Sequence, residues 1–403
     1  MGESEVYDLI IVGGGPAGLS SAIYAGRSEL KTLVIEKGSY GGRIKETENI
    51  MNYPGNPDLS GQELINKFKK HAELFSSIKW LRTTVNDISK EDGKIKMDTK
   101  RRGSFTGKSA ILSVGTEPRV LEIPGEKEFT GRGVAYCGTC DAKNFENEHV
   151  YVLGSGDQAI EEAQYISKFA SKVTIIVLHE EGELDCNKMA AEEAYNNDKI
   201  NFIWNSTIAE IKGDNHVKSV VIKNVKTGEL TEYPTPGVFF FVGVDPLTDF
   251  VDDFVECDKR GFIKVNKKQK TSVEGVYAVG DCTDSYLRQV VTSAGDGAVA
   301  AVASERYIEN KDRLNSLLED KDEKIAFIFY SPYDDQAIDK VNELEENYND
   351  EMKVVLQDIS RKKVLYNRLD LESNFALAFY EDGEFNDIID LSVEKNWQEC
   401  INS

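Results

Sequence analysis

Twice along this 403-residue chain an apolar run breaks into a glycine turn, continues as an amphipathic stretch and returns as a second apolar run. The first copy is YDLIIVGGG, PAGLSSAIYAGRS and KTLVIEK, between residues 6 and 36. A second starts at HVYVLGSG (149–156), passes through DQAIEEAQYISKFAS and ends in KVTIIVL (172–178). Each reads as strand, turn, helix and parallel strand, because continuous Val/Ile/Leu runs fit strands buried on both faces. Two such units confine the chain to an α/β class with two Rossmann-like three-layer dinucleotide-binding domains.

The segments 109–125 and 238–250, each carrying Gly and Pro, read as two hinge strands where the chain leaves and re-enters the first domain. GVYAVGDCTDSYLRQVVTSAGDGAVAAVASERYI (275–308) supplies a strand, a loop and a long helix that complete it. The expected division is residues 1–117 with 246–310, then 118–245, a linker or exposed helix over 311–322, and a third α/β unit over 323–403. In that last unit KIAFIFY and MKVVLQDIS read as strands, DQAIDKVNELEENYND as a helix, and FALAFYEDGEFNDII as a hairpin about Asp-Gly.

A net charge of −22 argues against nucleic acid or an anionic membrane surface as the main partner, since phosphates are repelled. No run reaches the roughly 20 apolar residues of a membrane span, and the first apolar run is too short and acid-flanked for a signal peptide. A cytoplasmic protein is expected. Six cysteines are too sparse for a disulfide framework, so a close pair reads as redox or metal chemistry.

Three constellations carry chemistry. In Gly13-Gly14-Gly15-Pro16-Ala17-Gly18, Gly13 permits the turn, Gly15 lets a pyrophosphate approach the backbone and Gly18 lets helix and strand pack closely, with Glu36 at the next strand end for a ribose. Asp281, after the buried strand ending YAVGD, is placed to bind polyol hydroxyls or to cap the helix that follows, with Arg288 and Gln289 beyond it. Cys137-Gly138-Thr139-Cys140-Asp141 is a Cys-x-x-Cys pair with a neighbouring acid to carry the proton of thiolate chemistry. A zinc reading needs two further ligands. There is no second cysteine pair and the four histidines are scattered, so no metal is expected.

Taken as a set, GGGPAG, the GGR turn (41–43), NYPG (52–55), CGTCD, GVYAVGDCTD and RQVVTSAGDG resemble the low-molecular-weight thioredoxin reductases, over about residues 5–308. The resemblance implies FAD in a discontinuous first domain, with Gly13, Gly15, Gly18, Glu36, Gly42, Asn52, Gly115, Asp281, Arg288 and Gln289 as its contacts. It also implies a homodimer, thioredoxin or a thioredoxin-like protein as acceptor, Cys140 nearest the flavin, Cys137 attacking the partner's disulfide, and Asp141 as the acid–base residue.

Members of that family that use NADPH place His-Arg-Arg and a further Arg after the second nucleotide unit, where guanidinium groups pair with the 2′-phosphate. Here the run is VLHEEGELD, and Glu180, Glu181, Glu183 and Asp185 repel such a phosphate. Two donor readings stand. NADH lacks the 2′-phosphate and its ribose prefers a carboxylate, but Val177 occupies the position that matches Glu36 by distance. The other reading, closest to the ferredoxin-dependent flavin thioredoxin reductases of anaerobes, takes electrons from ferredoxin, for which small basic clusters at Lys100, Arg101 and Arg102 or at Lys267, Lys268 and Lys270 are docking candidates; both are equally ordinary solvated edges.

The tail from about 322 resembles thioredoxin in outline. Tyr333-Asp334-Asp335-Gln336-Ala337 fills the dithiol position, Phe375 stands at the place of the cis-proline, and Cys400 is the unit's sole thiol. This stretch holds 20 acidic against 8 basic residues, a net of −12. A binding or orienting module and a stabilising dimer appendage are the two expectations for it. Beside a disulfide reductase, an oxygen-using small-molecule dithiol oxidase and a non-enzymatic flavin scaffold remain as alternatives for the whole chain.

Overall fold

The computed structural model describes residues 5–47, 50, 52–56, 59–319, 321–348, 352–360 and 362–393. Two compact units divide at residue 302. The first opens with β1 (Val6–Val12), α1 (Pro16–Arg27) and β2 (Thr32–Glu36), followed by α2 (Gly61–Ala72), β3 (Ile78–Arg82), β4 (Val85–Glu91), β5 (Lys94–Thr99) and β6 (Gly103–Leu112). These strands form a sheet ordered β3-β2-β1-β6-β5-β4. The central pairs β1 with β2 and β1 with β6 are parallel, and the aliphatic residues at their centre, 9–12, 33–35 and 110–112, are buried. α2 starts on a capping box in which Ser60 and Glu63 satisfy each other's backbone N–H.

β7 (Thr116–Pro118) leads to β8 (Val134–Ala135), the four-residue helix α3 (Gly138–Asp141), β9 (His149–Leu153), α4 (Asp157–Ser167), β10 (Lys172–Ile176), α5 (Lys188–Tyr195) and β11 (Ile200–Ile203). A three-stranded antiparallel sheet of β12 (Ser206–Gly213), β13 (Val217–Asn224) and β14 (Leu230–Pro234) is followed by β15 (Val238–Phe240), which joins a parallel sheet ordered β11-β10-β9-β15-β8. β16 (Val244–Pro246) then pairs antiparallel with β7, so the two crossings between the large sheets lie side by side. Arg119 bridges them, its guanidinium lying 2.9 Å from the Asp245 carboxylate. β17 (Val276–Ala278) returns to the first sheet as a parallel partner of β6.

α6 runs from Val290 to Glu319, so the stretch expected as a linker or exposed helix is helical to within a few residues of the next strand. The second unit contains β18 (Ile325–Tyr330), α7 (Asp335–Tyr348), β19 (Lys353–Asp358), α8 (Lys363–Arg368), β20 (Ala376–Glu381) and β21 (Glu384–Asp390). Its sheet is ordered β19-β18-β20-β21, with β18 and β19 parallel and the others antiparallel. Ala337, Val341 and Leu344 of α7 cover one face. Leu314, Leu317 and Leu318, together with Leu365, cover the other. Cys400 lies outside the described residues, and the described peptide bonds, including that at Phe375, are trans.

Candidate active site

At the C-terminal end of β1 the backbone is forced close. Gly13 adopts φ +104°, and a Cβ there would lie 2.2 Å from the Ser113 carbonyl oxygen; a Cβ on Gly18 would lie 2.0 Å from Gly13 O. Only glycine allows α1 to start so near the strand. Gly15 and Gly115 behave differently, because their missing side chains face open space, and Gly42 lies across from Gly15. The Gly41 N–H donates to Gly14 O at 2.7 Å and draws the second glycine turn onto the first. Glu36, at the end of β2, accepts from the Gly14 and Gly38 N–H groups, each at 2.7 Å. An open glycine cradle at a helix N-terminus, edged by a carboxylate, fits the pyrophosphate and ribose of a dinucleotide.

A second group of side chains converges beyond β17. Asp281 accepts from Ser293 Oγ at 3.0 Å, and burial pushes its carboxyl above the ordinary range, against the opposing pull of Ser293, Arg288 and Arg43. The Arg288 guanidinium donates to Asp281 O and Thr283 O and lies 4.0 Å from the centre of the Phe262 ring. Gln289 Oε1 accepts from Asn52 Nδ2 at 3.1 Å. Asp281 and Arg288 thus form one cluster, and Asn52 and Gln289 a bonded pair beside it in the chain.

The dithiol is carried by the four-residue helix α3. Cys137 and Cys140 form a disulfide with Cα atoms 5.4 Å apart. Cys137 is the N-cap of α3; its Sγ accepts the Cys140 N–H at 3.1 Å and lies 3.4 Å from Thr139 Oγ1. Cys137 is half-buried and Cys140 exposed. Upstream, the Tyr136 hydroxyl donates to Glu126 at 2.7 Å, and the fully buried Glu126 carboxylate also accepts the Leu121 and Ile123 N–H groups. That strap fixes the strand entering the dithiol. Burial and Glu126 together push the Tyr136 phenol far up. Asp141, half-buried, is also raised by burial. Cys140, Thr139 and Tyr165 form one wall of a cleft of about 610 Å³ whose other wall includes Tyr40, Lys45 and Gln62.

The second glycine turn is tied along one edge by a later loop of its own chain. Beyond β10, Asp185 donates its N–H to Ser155 O at 2.9 Å and accepts from Ser155 Oγ at 2.7 Å, while Asp157 accepts the Asn187 N–H at 2.6 Å and its Nδ2 at 2.9 Å. Of the four acids expected to act as bare repelling charges, two have cationic or donor partners. Glu180 pairs with Lys226 at 2.5 Å. Asp185 lies 2.8 Å from His179 Nε2, and Ser155 and His179 hold its carboxyl below the ordinary range. Glu181 and Glu183 face solvent. Both basic clusters, Lys100 to Arg102 and Lys267, Lys268 and Lys270, are exposed.

Sequence reading missed Glu126, Ser293 and Lys226. Each acts through a partner at least ten residues away, and none stands in a pattern that singles it out from other polar residues.

The profile of the family described as pyridine nucleotide-disulphide oxidoreductase matches residues 7–297. A thioredoxin reductase of Peptoclostridium litorale is 45% identical over 311 residues, 75% of this chain and 98% of that protein. The crystal structure of Lactococcus lactis thioredoxin reductase in its FR conformation superposes with a TM-score of 0.73 at 40% identity, covering 75% of this chain and 99% of that one. A ferredoxin-flavin thioredoxin reductase of Clostridium acetobutylicum is 29% identical, with a TM-score of 0.41, over 78% of this chain and 100% of that one. The expectation that the chain stands nearest the ferredoxin-dependent members is corrected: its 40–45% identity is to proteins described simply as thioredoxin reductases. No helix among the described residues is long and apolar enough to cross a membrane. With its matched region spanning both glycine turns and the dithiol, the chain belongs to the pyridine nucleotide-disulphide oxidoreductases as a member of the FAD-binding, low-molecular-weight thioredoxin reductase family, oxidoreductases that act on disulfides.

Proposed function

We propose that this chain reduces the disulfide of a thioredoxin or thioredoxin-like protein through Cys137 and Cys140, with electrons from reduced ferredoxin and not from NADPH. The observation that carries the donor assignment is the segment Asp185–Asn187, hydrogen-bonded to Ser155 and Asp157 of the second glycine turn, beside a strand tip with acids in place of arginines. Gly13, Gly15, Gly18, Gly42 and Gly115 would offer backbone to the FAD pyrophosphate and Glu36 would hold its ribose. Asp281 would accept from ribityl hydroxyls, and Asn52, Arg288 and Gln289 would bound the ring side. When bound, FAD supplies the electron carrier between the donor and the Cys137–Cys140 disulfide.

In the reduced enzyme the Cys137 thiolate attacks one sulfur of the substrate disulfide, and a mixed disulfide forms as the other substrate sulfur leaves as a thiolate. Asp141 delivers a proton to that leaving thiolate. Cys140, as a thiolate, then attacks Cys137 Sγ, which restores the Cys137–Cys140 disulfide and releases the second substrate sulfur. The N–H that Cys140 donates to Cys137 Sγ supports Cys137 as the nucleophile, since it stabilises the thiolate, although Cys140 is the more exposed residue. The second unit, with the strand order β19-β18-β20-β21, supports a thioredoxin-like module without a dithiol. We assign it a binding or orienting role within a cytoplasmic homodimer.

NADH is the second reading of the donor. It is favoured by Gly156, where a Cβ would meet nothing within 4 Å, so that the turn keeps an open face. Calorimetric titration of the FAD-loaded enzyme separates the two cofactors. No binding of NADPH is expected; a Kd of about 10 μM or tighter, roughly 7 kcal/mol of binding, overturns the assignment.

A further inference from the structure

The dithiol helix rests on a carboxylate that belongs to a different element. Gly138, the first residue of α3, is buried, and a Cβ built on it would lie 2.3 Å from Glu162 Oε2 and 3.1 Å from Ile166 Cγ1 of α4. Glu162 Oε2 is itself buried. The absent side chain at 138 is what lets that carboxylate reach the backbone between the two cysteines. Asp141 stands on the same short helix, so the redox pair has an acid on its own turn and another behind it.

We propose that Glu162 is a positioning residue for the redox pair, its carboxyl group behind Gly138 biasing Cys137 and Cys140 toward the disulfide by opposing negative charge on the reduced sulfurs. The inference rests on the reading of Cys137–Cys140 as the redox centre. A carboxylate beside a thiol raises the thiol's pKa and so lowers the fraction of thiolate at a given pH. Because the disulfide carries no charge to repel, the same carboxylate makes the pair a stronger reductant. Against a dithiothreitol buffer the balance is plain: the enzyme dithiol and oxidised dithiothreitol give the enzyme disulfide and reduced dithiothreitol, two electrons and two protons passing from one pair to the other. Glu162 thus adds driving force for reducing a substrate disulfide and limits the thiolate available at neutral pH. Titratable groups beside the pair in the chain or across the cleft are Tyr136, Asp141 on α3, Tyr165 on α4 and Lys45.

The test compares wild type, Glu162→Gln and Gly138→Ala, each FAD-loaded and reduced chemically so that no natural donor is involved. Peptide-resolved alkylation across pH gives the Cys137 thiol titration, and dithiothreitol redox buffers give the dithiol–disulfide equilibrium. Glu162→Gln is expected to lower the Cys137 titration midpoint by about one pH unit and to shift the equilibrium about tenfold toward the dithiol, equivalent to about 30 mV. Gly138→Ala keeps the acid but pushes it away, and is expected to move both quantities in the same direction by less. Glu162→Asp is expected to restore part of the wild-type values. A neutral, proton-donating Glu162 would be replaced by Gln without effect; unchanged values in both Glu162→Gln and Gly138→Ala, or shifts of opposite sign, overturn the proposal. Should Glu162→Gln fail to retain FAD, the Gly138→Ala result decides alone. Loss of disulfide reduction in Cys137→Ser tests the redox centre separately, so failure of the two ideas is distinguishable.

Discussion

Asp281 sits where an ionised carboxylate is disfavoured, because burial raises its pKa while Ser293, Arg288 and Arg43 recover only part of the cost. The native state therefore keeps this proton to a higher pH than the unfolded chain does. The group's contribution to apoprotein stability is full below about pH 4 and is lost as pH rises through the folded value. Ribityl hydroxyls donating to the carboxylate would offset that cost. Asp281→Asn is expected to raise the apoprotein melting temperature at pH 7 by roughly 2–4 °C and to weaken FAD roughly tenfold; calorimetry and FAD titration measure the two effects, and a lower apoprotein Tm would contradict the account. Gly13, Gly18, Glu36 and the cysteine pair were legible in the sequence because each follows from local spacing. Glu162 was not, since its bearing on the dithiol depends on two helices meeting across more than twenty residues of chain.

Among the elements, the second glycine turn departs most from its sequence reading. GSGDQA predicts a strand, turn and helix, and these are present over β9 and α4. What the pattern did not disclose is that Asp185 and Asn187 satisfy polar groups of that turn, since a hydrogen bond from a later loop leaves no periodic trace. Lys226 likewise reaches Glu180 from the turn between β13 and β14. Replacing Glu180, Glu181 and Asp185 together by Arg removes three acids, breaks the contact of Asp185 with Ser155 and supplies forked donors for a 2′-phosphate. This variant is expected to bind NADPH at least tenfold more tightly than wild type by calorimetry; no gain would show that the turn is closed for another reason. Of the linker and the exposed helix expected at the C-terminal end of α6, the helix is present, but part of it is not exposed. NKDRLNSLLEDKDE looks like linker by charge, but Leu314, Leu317 and Leu318 recur at helical spacing and are covered by the second unit's sheet.

On the scale of the whole molecule, charge is unevenly distributed: the residues from 322 onward carry −12 of the net −22. Truncation after Glu309 removes this unit together with its covering leucines, whereas a cut at 322 would strip Leu314, Leu317 and Leu318 of their apolar cover. The shorter chain is expected to keep FAD and the dithiol while losing affinity for its protein partner. That difference should diminish between 0.05 and about 0.5 M salt as the exposed charges are screened; unchanged affinity and turnover would assign the unit a structural role alone. Three quarters of the chain span the related thioredoxin reductases almost whole, and the family match ends at residue 297, so the acidic unit lies beyond what they share. The central claim concerns how electrons enter. Anaerobic stopped-flow absorbance of the FAD-loaded enzyme, mixed in parallel with reduced ferredoxin, NADH and NADPH, follows that entry directly. Rapid bleaching by reduced ferredoxin and none by NADPH is the predicted result, and rapid stoichiometric bleaching by NADPH would contradict it.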